Sequence, residues 1–347
     1  MKIFYVVPLL LLVFVTQSAN AVTLPGIPEF IDEMVAKHKF KRAELESVFE
    51  KVQHVPAVIE AISRPATIKP WLEYRAAFVN PSRIKRGLEF WHRYRNTLLR
   101  AERKYGVPQE IIVAVIGVET VYGKDAGTFR TIDALTTLAF DYPRRADFFR
   151  SELESYLLLA REQQFDLLAI KGSYAGAMGI PQFMPSSYRN YAVDFNGNHK
   201  IDLLHESRDA IGSVANYLQS YGWDSSKPKP GNSRRHAGKV LLKQPIAVLV
   251  QVGEMNHALD AIATHSLGEW ASQGVVPDLN INQDQAARLM DFTVVDGKEF
   301  WLAFNNFDVI TRYNNSDFYA MSVFQLAQAL KAAHKKQATA STEALNK

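Results

Sequence analysis

The chain contains no cysteine. That absence removes disulfides, thiolate nucleophiles, cysteine-ligated zinc and acylation of a cysteine from consideration. The nine histidines show no HExxH and no paired ligand spacing, and neither a GxSxG elbow nor a glycine-rich phosphate loop occurs. A catalytic metal, a hydrolase built on that elbow and a P-loop nucleotide enzyme are therefore not supported. Excess charge is also scarce: 40 Lys and Arg against 36 Asp and Glu leave +4. A balance so mild argues against nucleic acid, although it suits an anionic polymer. Long apolar runs are missing with one exception, Ile3 to Val15, which follows Met1-Lys2 and precedes Thr16-Gln17-Ser18-Ala19-Asn20-Ala21. One positive charge, a short oily stretch and an Ala-x-Ala site describe a secretory signal peptide over residues 1–21. The run is too short to prefer a permanent membrane span. Cleavage after Ala21 leaves residues 22–347 with 39 basic and 36 acidic side chains, 39 − 36 = +3. An exported chain without disulfides fits a bacterial periplasm, where the fold must stand on its core alone.

What is present is mostly helical periodicity. Residues 22–105 read as an N-terminal helical domain. Residues 28–53 suggest two short helices, and a longer one is expected from Ser82 to Tyr105, with Ile84, Leu88, Trp91, Tyr94, Leu98 and Ala101 on one stripe. Those aromatics suit packing better than ligand stacking.

Ile111 to Gly123, IIVAVIGVETVYG, dominates the next segment. Eight residues without a polar side chain leave no solvent face, so this is a buried central helix, with Pro108 at its first position and Gly123 able to end it. Ile112, Val115, Ile116 and Glu119 share one face. A carboxyl group at the end of an oily helix should have a raised pKa, as a general acid at neutral pH requires. The alternative is that Glu119 surfaces at the helix end or pairs with an arginine.

Thr131 to Phe140 reads as a short helix. Asp141 is the expected N-cap of another that runs to Gln163, with Arg144 and Arg145 in its first turn. A positive charge there opposes the helix dipole, which suits either a grip on carboxylates or a salt bridge. Gly172 to Tyr188, GSYAGAMGIPQFMPSSY, is a loop that lets a ligand approach the backbone and presents Ser173, Gln182 and Phe183. Asp194 to Asp202, DFNGNHKID, places oxygens at alternating positions as an EF-hand does: Asp194, Asn196, Asn198, the Lys200 carbonyl and Asp202, closed by Glu206 or Asp209. His199 stands where glycine is wanted, so a plain Asn/Gly turn competes with a cation site. Asp209 to Tyr221 returns to helical spacing, and residues 106–237 as a whole read as one core.

Residues 238–304 then change period. Val240 to Val252 reads as strand, and 291–304 as a hairpin turning at Asp296-Gly297. This predicts a small antiparallel β insertion. Residues 305–335 return to the helical body through Tyr313-Asn314 and a helix from Tyr319, and 336–347 read as a disordered tail. The fold class expected is mainly α (α+β).

Taken together, GVETVYGKDAGTFRTIDALTTLAFDYPRRADFF, GAMGIPQFMPSSY, DFNGN, IGSVANY and RYNNSDFYAMSV, in that order, resemble the membrane-bound lytic murein transglycosylase B family over about residues 28–335. The resemblance implies a lysozyme-like core with a flanking helical domain, a small β domain and an EF-hand-like calcium site over 194–209. It implies cleavage of the β-1,4 bond between N-acetylmuramic acid and N-acetylglucosamine, leaving a 1,6-anhydromuramoyl end. Glu119 would be the catalytic acid. Ser173, Gln182, Phe183, Tyr217, Tyr313 and Asn314 would line the glycan cleft, and Arg144 and Arg145 would meet the stem peptides. No cofactor is required for that chemistry, and a structural calcium ion would be held by Asp194, Asn196, Asn198, Lys200 and Asp209. Expected partners are glycan strands, stem peptides and other cell-wall enzymes. Nucleic acid and a stable membrane span are not expected, and the chain reads as a monomer. Lacking a lipoprotein cysteine, it resembles the soluble form of the family. A muramidase-type hydrolase and a non-catalytic murein-binding scaffold are the competing readings.

Overall fold

A computed structural model describes residues 24–64, 69–225, 245–252, 263–277 and 282–345. The signal peptide and the beginning of the expected Val240–Val252 strand lie outside them. Six helices come first: α1 (Ile27–His38), α2 (Arg42–Phe49), α3 (Pro56–Ser63), α4 (Trp71–Phe78), α5 (Pro81–Arg93) and α6 (Arg95–Tyr105). The single helix expected from Ser82 is thus two, broken at Tyr94, whose φ of −108° and ψ of 20° leave the helical region. The Tyr94 ring still packs on Phe90, one turn earlier, with centroids 4.7 Å apart.

Central helix α7 (Gln109–Thr120) follows, and every residue from Ile111 to Val118 is buried. Pro108 is the extended residue before the helix rather than its first turn. Packed around α7 are α5, α6, α11 (Ser207–Ser220) and α14 (Asp317–Leu345). A helix that is apolar on all sides needs such a jacket, which is why the longest run of oily residues marks the centre of the fold.

Between α7 and α11 lie α8 (Thr131–Asp141), α9 (Ala146–Gln163) and α10 (Pro185–Tyr191), together with two-residue strands β1 (Phe129–Arg130) and β2 (Lys171–Gly172), which pair antiparallel. Asp141 is not an N-cap. It ends α8 and bonds His54 at 2.8 Å. Pro143 opens a single 3-10 turn, Pro143–Arg145, and α9 starts only after it.

The second β region is an antiparallel sheet of order β4-β6-β7-β3-β5, with β3 (Ala247–Val252), β4 (Thr264–Ser266), β5 (Val275–Pro277), β6 (Ala286–Val294) and β7 (Gly297–Ala303). Helix α12 (Leu267–Ser272) follows β4, and α13 (Asn305–Thr311) leads back to the helical body. In the β6–β7 hairpin Val294 pairs with Gly297, so the turn is Val295-Asp296, one residue earlier than expected. The two faces of β6 have different neighbours, as strand alternation dictates. Ala287 and Leu289 join a small core with Trp270, Leu302 and Phe304, whereas Met290 and Phe292 belong to the main helical core.

Helix α14 continues to Leu345, through much of the stretch expected to be a disordered tail. Ala338, Ala340 and Ala344, with Lys336, Gln337 and Glu343, are good helix formers.

Candidate active site

The acid comes from the end of α7. Three consecutive left-handed residues terminate that helix: Val121 (φ 51°), Tyr122 (φ 64°) and Gly123 (φ 84°). Such a conformation is costly for a β-branched valine, and it persists only where neighbours enforce it. Here the enforcing contact is the Tyr122 side chain, which folds back between α5 and α7 and donates to the Arg83 carbonyl at 3.0 Å. A Cβ at Gly87 would lie 2.3 Å from the Tyr122 hydroxyl oxygen, and one at Gly117 would lie 2.6 Å away. Both positions need the missing side chain.

Thr120 ties this turn to the glycine-rich loop. Its hydroxyl donates to the Ile180 carbonyl at 2.7 Å and accepts from the Gly123 amide at 2.9 Å. Glu119, next to it, is part-buried. Burial raises its pKa from an ordinary 4.5 to about 7, with a hydrogen bond from Tyr319 pulling in the opposite direction. The Tyr319 hydroxyl donates to Glu119 Oε1 at 2.5 Å. Three tyrosines carry an electrostatic influence from Glu119, namely Tyr74, Tyr313 and Tyr319. Among the described residues no second carboxylate contributes to the Glu119 shift.

Beside the acid stands an aromatic wall. The rings of Tyr313 and Tyr319 are stacked at 13°, with centroids 6.3 Å apart. Tyr313 also contacts Tyr217 at 4.9 Å and Phe183 at 5.8 Å, and its hydroxyl donates to the Pro181 carbonyl at 2.6 Å. The Tyr217 hydroxyl donates to the Arg312 carbonyl at 2.6 Å. Phe183 and Tyr217 are 2% and 6% exposed, so they back the wall rather than face an open cleft. Gln182 has a φ of 50°, and its amide donates to the carbonyls of Ala126 and Gly179, each at 3.0 Å. Ser173 Oγ accepts the amides of Ala175 and Ala177, which holds the loop closed and leaves the hydroxyl proton for another acceptor. Gly127 lets the chain pass, since a Cβ there would sit 2.1 Å from the Gly172 carbonyl oxygen.

The structure therefore bonds Glu119, Thr120, the 172–183 loop, Tyr313 and Tyr319 into one cluster. Asn314 is exposed beside it. Arg144 and Arg145 are exposed on the 3-10 turn, and the Arg145 guanidinium lies 4.2 Å from the Phe148 ring centroid, with no bond to the cluster. Tyr319 and Thr120 were missed as site residues. Nothing local marks Tyr319, whose partner lies 200 positions away. Thr120 gave one unused signal, a polar side chain immediately after the acid.

The 194–209 loop folds on its own side-chain oxygens. Asp194 accepts the amides of Gly197, Asn198 and His199, Asn196 accepts that of Asn198, and Asn198 accepts that of Lys200. His199 takes the left-handed conformation (φ 65°) that glycine adopts more cheaply. Asp209, and not Glu206, closes the loop: it accepts the amides of Phe195, Asn196 and Asp202, while Glu206 caps α11. These hard oxygens suit calcium in kind. Charge is short, however, and no cluster of three or more His, Cys, Asp or Glu able to hold a metal is formed among the described residues.

Residues 24–328 match the transglycosylase SLT domain family. The chain belongs to that family, and its fold is of the lysozyme-like, mainly α (α+β) kind. It is 41% identical over 317 residues to membrane-bound lytic murein transglycosylase B of Escherichia coli (strain K12), covering 88% of this chain and 82% of that protein. The soluble lytic transglycosylase SltB1 from Pseudomonas aeruginosa is 44% identical with a TM-score of 0.79, over 90% of this chain and 100% of that one. Escherichia coli Slt35, solved in complex with bulgecin A, is 40% identical with a TM-score of 0.80, over 90% and 94%. It has also been solved in complex with calcium. The protein is an enzyme, a lytic transglycosylase of peptidoglycan.

Proposed function

We propose that this enzyme breaks the β-1,4 bond between N-acetylmuramic acid and N-acetylglucosamine with Glu119 as its single acid and base. The observation that carries this reading is a desolvated carboxyl group bonded to Tyr319, its pKa raised by burial to about 7, on which no second carboxylate among the described residues acts. Protonated Glu119 gives its proton to the glycosidic oxygen as the C1–O bond breaks. A glycosidase of the usual kind would then use a second carboxylate, as nucleophile or to activate water. Here the muramoyl 6-hydroxyl attacks C1 instead and loses its proton to the Glu119 carboxylate, which restores the acid. No water is consumed, and the product carries a 1,6-anhydro ring. Tyr319 occupies Oε1, so the travelling proton belongs to Oε2.

Ser173, Gln182, Tyr313 and Asn314 are the contacts assigned to the glycan, with Phe183 and Tyr217 supporting Tyr313 from behind. Arg144 and Arg145 are assigned to stem-peptide carboxylates, through charge-assisted hydrogen bonds. Both residues are exposed, with the Arg145 guanidinium lying against the Phe148 ring. The bulgecin A complex of the Escherichia coli relative supports a ligand site in this fold, and its calcium complex supports a weak calcium site at Asp194, Asn196, Asn198, the Lys200 carbonyl and Asp209. The apolar leader supports a periplasmic address, and among the described residues no helix is long and apolar enough to cross a membrane.

Glu119→Gln tests the assignment. The amide keeps the shape but cannot supply a proton, and acid–base catalysis contributes roughly 10²–10⁴-fold. One group serves both half-reactions, so turnover of purified murein should fall by the upper end of that range or more while the circular dichroism spectrum is kept. Near-normal turnover would remove Glu119 from the mechanism.

A further inference from the structure

Strand β6 presents two residues, Arg288 and Phe292, on the face turned to the helical body. The Arg288 guanidinium makes a two-pronged contact with Asp317, at 2.9 and 2.8 Å, and a third bond to Asp308 at 3.1 Å. Asp317 is the first residue of α14, and Asp308 lies on α13. Four positions along β6, the Phe292 ring packs 4.7 Å from Trp71 and 5.8 Å from Phe318. Phe318 in turn touches Trp71 at 5.2 Å and Tyr74 at 5.5 Å. Asp317 and Phe318 are thus both held by the β insertion, and the next residue is Tyr319, the hydrogen-bond partner of Glu119.

The bonding pattern is that of a positioning device. Arg288 is 23% exposed and its partners Asp308 and Asp317 are 46% and 40% exposed, so water screens the carboxylate side of these pairs and limits their net stabilisation. What a planar guanidinium on a carboxylate does supply is direction, since two parallel bonds fix angle as well as distance. A contact of 2.5 Å between Tyr319 and Glu119 is sensitive to small shifts at the start of α14. We propose that Arg288 is a positioning residue for Glu119, and that the β insertion holds the first turn of α14 so that Tyr319 meets the catalytic acid. The inference rests on the assignment of Glu119 given above. It gives the insertion a role in the chemistry, although none of its described residues bonds Glu119.

The sign of the effect follows. A hydroxyl that donates to a carboxylate favours the charged form, so loosening it raises the Glu119 pKa. Among the described residues, the titratable side chains that feel Glu119 are Tyr74 from α4, Tyr313 from the segment before α14, and Tyr319 itself; all three have pKa values raised chiefly by burial, so they stay neutral over the working range. The alkaline limb of kcat/KM, where the acid loses its proton, therefore reports Glu119.

The test uses the full-length enzyme on purified murein. Arg288→Met should lower kcat about tenfold, leave KM nearly unchanged, and move the alkaline limb up by roughly half to one pH unit, the scale of a weakened hydrogen bond to a charge. Tyr319→Phe should move it in the same direction, and adding Arg288→Met to Tyr319→Phe should move it no further. Asp317→Asn, which keeps the helix start polar, provides a second route and should give a smaller shift of the same sign. A profile that stays at the wild-type position in both Arg288→Met and Asp317→Asn, with only the melting temperature lowered, overturns the proposal. So does an Arg288→Met shift that persists undiminished without the Tyr319 hydroxyl. Glu119→Gln is run alongside: if it remains active, the assignment of the acid fails, whereas an inactive Glu119→Gln with unshifted Arg288→Met condemns the positioning role alone.

Discussion

Glu119 is held at the end of an apolar helix, with its carboxyl group desolvated and bonded to Tyr319. The raised pKa is a stability statement as well as a catalytic one. Below about pH 4.5 the carboxyl is protonated in both folded and unfolded chains, and the contribution is fully present. As pH rises towards 7 the unfolded chain releases its proton first, so folded stability falls, and above 7 the contribution is gone. Spread over that interval, the loss is about 3 kcal/mol as an upper figure. Glu119→Gln has no such loss. Its melting temperature relative to wild type should climb between pH 4.5 and 7 and level off above, and a pH-independent difference would mean that the carboxyl is not shifted. The acid was legible in the sequence because eight residues without a polar side chain precede it on a single helix. Tyr319 was not, because the same tyrosine at the start of an amphipathic helix reads as core. Only the fold shows that its hydroxyl ends 2.5 Å from a carboxylate 200 residues earlier.

At the scale of elements, the turn after the acid depends on empty space elsewhere. Tyr122 needs both Gly87 and Gly117 to lack a side chain, and its position holds the left-handed run that ends α7. Gly117→Ala should therefore act as an overpacking change despite alanine's better helix propensity, destabilising by roughly 1–3 kcal/mol. Activity should fall more than stability explains, since Glu119 lies on the last turn of α7, next to the displaced residues. A variant as stable and active as wild type would show that the turn adjusts freely. The cation loop makes a second prediction. Two of its three alternating side chains, Asn196 and Asn198, are neutral amides, so calcium should bind weakly and raise the melting temperature only near millimolar concentration. An identical melting temperature in calcium and in chelator would leave the loop as a self-bonded turn, closed by Asp209. The sequence placed α7 well, where period and composition agree, and found the β6–β7 hairpin, although β6 begins at Ala286, before the expected 291. It failed where one residue decides, at the Tyr94 break and at Asp141, because capping depends on what the rest of the fold offers to bond.

The whole molecule encloses its acid with segments drawn from the length of the chain. The N-terminal helices supply Tyr74, the core supplies α7 and the 172–183 loop, and the return after the insertion supplies Tyr313 and Tyr319. Motif order made that assembly recognisable in outline. The ties between parts, such as Thr120 to Ile180 and Arg288 to Asp317, join residues far apart in sequence and leave no local pattern. The central claim about the assembled site is that one carboxyl group does the work of two, which requires the sugar's own hydroxyl to replace water. Mass spectrometry of the muropeptides released from purified murein by the wild-type enzyme tests this directly. The account predicts 1,6-anhydro muropeptides, one water lighter than the hydrolysed form. Products ending only in reducing muramic acid would contradict it, and would mean that a water-activating group stands beside Glu119.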